Sequence, residues 1–149
     1  MSADKSGHKT PCPVARSADL IGDRWSLLIV RDAFDGIRRF GDFQRNSGIA
    51  RNILSDRLRK LLSAGILEMK DASDGTAYQE YVLTEEGKHL FPVIVALRQW
   101  GEMHLFGQDE PHSLLVEKET GKPLAAMVPV SQEGRILDPD ETEVKKVSL

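Results

Sequence analysis

Residues 47–62 have the sequence SGIARNILSDRLRKLL, and the rest of the chain is arranged around this stretch. A turn at Ser47-Gly48 precedes a helix predicted over residues 49–62, whose spacing places on one face Leu54, Leu58, Leu61 and Leu62. Asn52, Asp56 and Arg59 fall on the opposite face, because successive helical residues are about 100° apart. The pattern stops at Gly65, a typical C-terminal signal. A basic, amide-bearing outer face predicts a helix that contacts a polyanion.

The composition is that of an ordinary globular protein, with 149 residues, 40% hydrophobic and 29% charged. Its single cysteine, Cys12, excludes an intrachain disulfide and a cysteine-based zinc cluster. The four histidines lack metal-ligand spacing, and no set of residues typical of catalysis is present, so we expect no metal, no cofactor and no enzyme. No stretch is apolar enough for a membrane span, and the polar start is not a signal peptide, which predicts a cytoplasmic protein.

The net charge of −3 is unevenly distributed. Residues 38–60 carry seven basic and two acidic side chains, a net charge of +5, whereas residues 107–149 carry nine acidic and five basic ones, a net charge of −4. A basic stretch within an acidic protein is the pattern expected of a nucleic-acid-binding surface. The alternative is that solvated helix faces carry this charge by chance.

The flanking sequence places this helix in a helix-turn-helix. Helices are predicted over Val14–Ile21 and Arg24–Phe34, and a short one runs from Phe40 to about Arg45 before the turn at residues 46–48. Residues 66–70 and 77–83 have strand character around a turn at residues 71–75. A hairpin directly after the second helix of a helix-turn-helix predicts the wing of a winged-helix domain.

A long helix is predicted from Thr84, its N-cap, to about Phe106, with Pro92 either kinking it or delaying its start. Its apolar stripe could close the core of its own chain or form a dimer surface. The spacing of DNA half-sites favours the dimer. The stripe includes four candidate interface residues, Val93, Leu97, Trp100 and Leu105.

The fold class predicted is α+β: a mainly helical winged helix-turn-helix with a two-stranded wing, a long C-terminal dimerisation helix and a small C-terminal β extension. The predicted organisation is a disordered N-terminus (1–10), the DNA-binding and dimerisation domain (11–106) and an acidic β-rich extension (107–149). Strands are expected at Ser113–Lys118 and Pro123–Val130, followed by a frayed charged tail over residues 138–149.

The chain resembles the HxlR-type regulators, relatives of the MarR-type winged-helix transcription factors, from Cys12 to Phe106. The motifs that carry the resemblance are Cys12-Pro13-Val14, Gly22-Asp23-Arg24-Trp25, Arg39-Phe40 with Asp42-Phe43, Leu54-Ser55 with Arg57-Leu58, Gly65-Ile66-Leu67, Tyr81 to Gly87 and Leu90-Phe91-Pro92-Val93.

The resemblance implies a homodimeric DNA-binding transcriptional regulator that dimerises through its first and last helices, which adds Val14 and Leu20 to the interface. Some relatives use a cysteine at the Cys12 position to sense electrophiles or oxidants. Two departures matter. The wing lacks the arginine common in relatives and has Asp71 and Asp74 beside its tip, and Ala50 replaces a capping serine, worth about 1 kcal/mol.

These patterns assign roles in binding double-stranded DNA. We predict that Arg51, Asn52 and Ser55 face base edges in the major groove, since arginine pairs with guanine and asparagine with adenine. The residues predicted to contact phosphates are Arg38, Arg39 and Arg59. For Arg57, at the boundary of the two faces, a phosphate contact and an internal ion pair are both open.

Cys12 also has two interpretations. The start of the first helix and Arg16 could favour its thiolate and make it a sensor of electrophiles or of another small-molecule effector. Alternatively, it is a small apolar residue at the dimer interface. The main rival function for the whole chain is a winged-helix module that binds protein and no DNA, which the acidic wing and the net negative charge favour.

Overall fold

The computed structural model describes residues 10–72 and 74–147, and the chain forms two compact units, Met1–Phe91 and Pro92–Leu149. This division differs from the predicted boundary after residue 106, because the last long helix groups with the C-terminal extension. Except for Thr10, the predicted disordered segment 1–10 lies outside the described residues.

The first unit begins with two helices, α1 (Pro13–Ile21) and α2 (Arg24–Phe34). Pro13 takes the first helical position of α1, where its missing N–H is not needed. Asp23 caps α2 by accepting a hydrogen bond from the Ser26 N–H at 3.0 Å. The predicted bounds of α2 are confirmed, and α1 begins one residue earlier than predicted.

The helix-turn-helix consists of α3 (Phe40–Ser47) and α4 (Arg51–Ser63). Gly48 ends α3 in the left-handed conformation, with φ 71°, which a glycine adopts without strain. The fully buried Ile49 and the extended Ala50 then delay the start of α4 by two residues relative to the prediction. As the sequence indicates, Ala50 occupies the N-cap and no side chain caps α4.

The wing is an antiparallel hairpin of β1 (Leu67–Asp71) and β2 (Gln79–Leu83), whose register pairs Leu67 with Leu83 and Asp71 with Gln79. The predicted winged helix-turn-helix fold is confirmed. Each strand begins later than predicted, by one residue for β1 and by two for β2.

The core of the first unit forms beneath α4. Three of the four predicted leucines, Leu54, Leu58 and Leu61, are almost completely buried, whereas Leu62 is only half-buried. Burying a leucine side chain contributes about 1.5–3 kcal/mol, so this face fixes α4 firmly. Other parts of the chain supply further fully buried apolar side chains, among them Ile29, Val30, Phe43, Ile49 and Leu67.

The single helix predicted after the wing is two helices, α5 (Glu85–Lys88) and α6 (Phe91–His104). Thr84 begins α5 by accepting a hydrogen bond from the Gly87 N–H at 2.9 Å. A Cβ at Gly87 would lie 2.1 Å from the Ile66 carbonyl oxygen, so only glycine allows this close approach. Pro92 delays the long helix, as one of the two predicted alternatives stated, and sits in its second position.

Within the second unit, the extension is attached to one face of α6. The Gln99 side chain donates to the Ala125 carbonyl at 3.0 Å and accepts from the Met127 N–H at 2.7 Å, so it pairs with the extended chain as a neighbouring strand would. Arg98 donates to the Ser113 carbonyl at 3.1 Å. Val95, between these two attachments, is 3% exposed.

The predicted strands of the extension are wrong in detail. Two isolated antiparallel bridges, Val116 with Pro123 and Val130 with Ile136, replace strands among the described residues. Each segment pairs only across its own turn, and a ribbon without a third strand is marginal. The start of the predicted frayed tail is ordered, because Pro139–Glu141 forms a 3-10 turn and Arg135 donates to Glu141 at 2.7 Å.

Candidate nucleic-acid interface

The outer face of α4 presents the residues predicted to contact bases. Arg51 and Asn52 are exposed in the first turn of the helix, and Ser55 is half-buried one turn later. Buried leucines anchor α4 to the core, so these exposed side chains project from a helix whose position is fixed. The glycine turn at Gly48 ends α3 immediately before α4 and leaves the N-terminal end of α4 open.

Arg51 has a defined position before any ligand binds. Its guanidinium lies over the Phe40 ring, 5.0 Å from the ring centroid. Such a cation–π contact contributes about 0.5–1 kcal/mol at an exposed site. Because Phe40 begins α3, this contact joins the first turns of the two helices in the motif.

Arg59 and Lys60 differ in their surroundings. Arg59 is exposed, and within residues 10–72 and 74–147 it has no hydrogen bond or ion pair. Lys60 donates to the Asp19 carbonyl at 2.6 Å. Arg59 therefore presents its guanidinium on the outer face of α4 with no competing carboxylate in the described part of the chain.

Arg57 forms an internal ion pair. Its Nε donates to Asp23 at 2.9 Å and its Nη1 donates to Asp56 at 2.7 Å, so it connects α4 with the residue that caps α2. Partial burial raises the pKa of Asp23, but hydrogen bonds from Ser26 and Arg57 outweigh this and lower the pKa to about 2. Of the two predicted alternatives for Arg57, this geometry favours the internal ion pair over the phosphate contact.

Arg38 and Arg39 lie beside the wing. Glu80 of β2, whose side chain is 8% exposed, lies 3.7 Å from Arg38 and 4.0 Å from Arg39. Arg39 also pairs with Asp74 at the wing tip, at 2.5 Å. Hydrogen bonds from Thr76 and from Arg39 lower the pKa of Asp74 to about 2. The negative charge of Asp74 is therefore offset by a cation of the same chain.

These ion pairs reduce the number of cations in residues 38–60 that are available to bind DNA. Four of its seven cations have a carboxylate within 4.0 Å, namely Arg38, Arg39, Arg45 and Arg57. The net charge of +5 counts only the acidic residues inside the stretch and omits the partners from outside it, such as Asp23 and Glu80. The exposed cations of α4 that remain are Arg51, in its first turn, and Arg59, on its outer face.

Sequence reasoning missed two buried carboxylates that position the motif. Glu80 lies between the two arginines that precede α3. Asp32, 1% exposed in α2, accepts hydrogen bonds from Arg31 at 2.7 Å and from Asn46 of α3 at 2.9 Å. The sequence did contain a signal for Asp32: its carboxylate falls within the apolar stripe of α2, and a buried charge requires hydrogen-bonding partners.

Cys12 is exposed and caps α1, with its sulfur accepting from the Ala15 N–H at 3.4 Å. Arg16, which was predicted to favour the thiolate, donates its Nε–H to the Thr10 carbonyl at 2.6 Å. The thiol is thus accessible in the single chain and lies at the positive end of a helix.

The residues predicted to form the dimer interface lie in or next to α6 and in α1. In α6, Val93, Leu97 and Trp100 are 41%, 50% and 60% exposed and lie on the face opposite Val95. Leu105, just beyond α6, is also exposed. In α1, Val14 is exposed and Leu20 is half-buried.

Comparison with known proteins identifies the family. Residues 20–109, more than half of the chain, match the model of the HxlR-like helix-turn-helix family. The chain belongs to this family. The resemblance stated from the sequence motifs is thereby confirmed, and the HxlR-like relatives are named as transcriptional regulators rather than enzymes.

Two solved structures and one curated relative illustrate the relationship. The protein PA1607, a proposed transcription factor, is 47% identical with a TM-score of 0.87, and the match covers 93% of this chain and 97% of PA1607. The redox regulator HypR in its reduced form is 32% identical with a TM-score of 0.57, covering 63% of this chain and 94% of HypR. An uncharacterized HTH-type transcriptional regulator of Mycobacterium tuberculosis (strain ATCC 25618 / H37Rv) is 49% identical over 92 residues, 62% of this chain. The chain spans 58% of that relative's length.

Among the described residues, no group of three or more histidine, cysteine, aspartate or glutamate side chains could hold a metal ion. None of the helices in that part of the chain has the length and apolar character needed to cross a membrane.

Proposed function

We propose that this protein is a homodimeric, sequence-specific DNA-binding regulator, a cytoplasmic repressor that binds a pseudo-palindromic operator with α4. The observation that carries the proposal is the exposed side of α4, which is anchored by three buried leucines: Asn52 and Arg59 lie on its outer face, and Arg51 is exposed in its first turn. In the helix-turn-helix, the second helix enters the major groove and its N-terminal residues contact base edges. Arg51 and Asn52 occupy that turn.

The base contacts follow from the chemistry of these side chains. Arg51 offers paired donors to guanine O6 and N7, and Asn52 offers a donor and an acceptor to adenine N6 and N7. The Phe40 ring holds Arg51 at the end of the helix, which reduces the conformational entropy that binding must remove. Ser55, half-buried one turn later, is the third proposed contact with a base.

Phosphate contacts are proposed for Arg59 and Arg38. Arg59 has no competing acid in the described part of the chain, and the Arg38 side chain is half exposed despite its 3.7 Å approach to Glu80. Arg57 instead fixes the helix through Asp23. Phosphate contacts set the orientation of the protein on the duplex without reading its sequence.

The homodimer is proposed to form through α6, with α1 contributing Val14 and Leu20. The extension and Val95 occupy one face of α6, while the opposite face exposes Val93, Leu97 and Trp100. A helix with one apolar face uncovered is a surface that a second copy can bury. Two copies would present two α4 helices to half-sites about one DNA turn apart.

Cys12 is the proposed site of regulation. The thiol is exposed, and the solved structures to which this chain is similar include the redox regulator HypR. Two thiols of a dimer can form a disulfide by losing two electrons and two protons to an oxidant, or one thiolate can add to an electrophile. If Cys12 is unreactive towards a thiol reagent in the native protein and Cys12→Ser is regulated normally, this role is excluded.

The salt dependence of binding to duplex DNA tests the proposal. The duplex used is a DNA fragment that the protein protects in a footprinting experiment. The region upstream of the protein's own coding sequence is tested first. We expect the binding constant to fall steeply as salt rises, because each phosphate contact releases counterions. Binding that is absent, or independent of salt, would support the rival interpretation, a winged-helix module that binds protein.

A further inference from the structure

We propose that Arg39 positions the wing and is not a phosphate contact; this inference rests on the proposed DNA-binding function. Arg39 is the residue immediately before α3, and its guanidinium is surrounded by side chains of the wing. Nη2 donates to Asp74 at 2.5 Å and to Thr76 at 3.4 Å. The guanidinium also lies 4.9 Å from the centroid of the Tyr78 ring.

The wing is attached to the segment before α3 at two levels. In the middle of β2, the Tyr81 N–H donates to the Arg38 carbonyl at 2.7 Å, a backbone bond that does not depend on side-chain identity. At the tip, Arg39 supplies the described attachment through Asp74, Thr76 and Tyr78. The position of the tip relative to α3 therefore depends on one arginine side chain.

Asp74 organises the turn as well as binding Arg39. Its Oδ1 accepts from the Thr76 N–H at 3.0 Å, while its Oδ2 accepts from Arg39. The turn is closed by the Ala72 N–H, which donates to the Tyr78 carbonyl at 3.0 Å. The amide of Ala72 consequently reports on whether the tip keeps its conformation.

A phosphate would gain little from Arg39. To bind there, the DNA would have to displace the Asp74 carboxylate and separate the guanidinium from Tyr78. One anion would then replace another on the same cation, with no net gain in ion pairs. Counterion release depends on the phosphates that the protein newly neutralises, so Arg39 should add little to the salt dependence of binding. Arg59, which has no carboxylate to displace among the described residues, should contribute fully to the salt dependence of binding.

The test compares Arg39→Gln and Asp74→Asn with a matched control, Arg59→Gln. Hydrogen exchange at the Ala72 amide is measured first, in the full chain without DNA. We expect Arg39→Gln and Asp74→Asn each to accelerate this exchange about fivefold, because the turn opens more often once the Arg39–Asp74 pair is lost. Arg59→Gln should leave the rate unchanged. Unchanged exchange in Arg39→Gln would overturn the proposal.

The second measurement is the slope of log binding constant against log salt on a DNA duplex. We expect the slope of Arg39→Gln to equal that of the wild type and the slope of Arg59→Gln to fall by about one. A fall of about one for Arg39→Gln would also overturn the proposal, because it would make Arg39 a phosphate contact. If the wild type shows no salt-dependent binding, the proposed function fails, and the exchange measurement alone decides the role of Arg39.

Discussion

Arg57 connects α4 to the N-cap of α2 through Asp23, and the pair is partly shielded from water, with 28% and 34% of the two side chains exposed. We predict that Arg57→Ala lowers the free energy of unfolding by about 1 kcal/mol at pH 7, measured by urea denaturation. Arg59→Ala, on the same helix without such a pair, is the control and should change stability by less than about 0.5 kcal/mol.

Asp23 gives the stability a defined pH dependence to which Arg57 contributes. Because hydrogen bonds from Ser26, and then from Arg57, lower the pKa of Asp23 from its ordinary 3.8 to about 2, the folded state favours the ionised carboxylate. This stabilisation is complete above about pH 4 and is lost as the pH falls through 2. The difference between wild type and Arg57→Ala should therefore shrink between pH 4 and pH 2. A difference that stays constant over this range would contradict the assignment.

At the scale of elements, the first turn of α4 lacks a side-chain cap. Ala50 occupies the N-cap with φ −62° and ψ 141°, a conformation that serine adopts readily. We predict that Ala50→Ser raises the free energy of unfolding by about 0.5–1 kcal/mol, detected as an increase in the thermal midpoint. Ala77→Ser, an exposed alanine outside any helix, is the control and should have no effect. An equal shift in both variants would show that capping is not the cause.

Helices and the wing could be predicted because their signals are local. The bounds of α2 follow from an apolar stripe between Gly22-Asp23 and Asp35-Gly36, and the hairpin follows from two strand-like segments around a turn. The extension was less predictable. Its segments have strand composition, but strands also require a neighbour, and here each finds only one bridge.

The electrostatics of the candidate interface could not be predicted in the same way. Arg39 and Asp74 are separated by 35 residues, and Arg57 and Asp23 by 34. Such pairs exist only after the chain has folded, so a count of charges along the sequence overestimates the cations free to bind DNA. Asn52 and Arg59 were placed correctly on the outer face because helical periodicity determines their direction, whereas Arg51 is exposed because it lies in the first turn of α4.

At the scale of the whole molecule, the proposed dimer depends on an apolar face of α6 that the single chain leaves uncovered. We predict that Leu97→Glu converts the dimer into a monomer, because the substitution places a charge where a second copy would bury leucine. Sedimentation velocity at micromolar concentration measures the change. The matched control is Met69→Glu in β1, since Met69 is 47% exposed and Leu97 50%.

The control should remain dimeric in that experiment. A wild-type protein that sediments as a monomer would contradict the proposed α6 interface. A dimer that persists unchanged in Leu97→Glu would do the same and would place the contact on another surface of the chain.

The ratio of operator binding to non-specific binding for Arg51→Ala shows whether the first turn of α4 reads DNA sequence. We expect the variant to lose about 1–3 kcal/mol of operator affinity, roughly 5- to 150-fold, while its affinity for an unrelated duplex falls much less. Arg59→Ala should weaken both equally. If Arg51→Ala also weakens both equally, Arg51 contacts phosphate and the account of α4 as the sequence-reading element is contradicted.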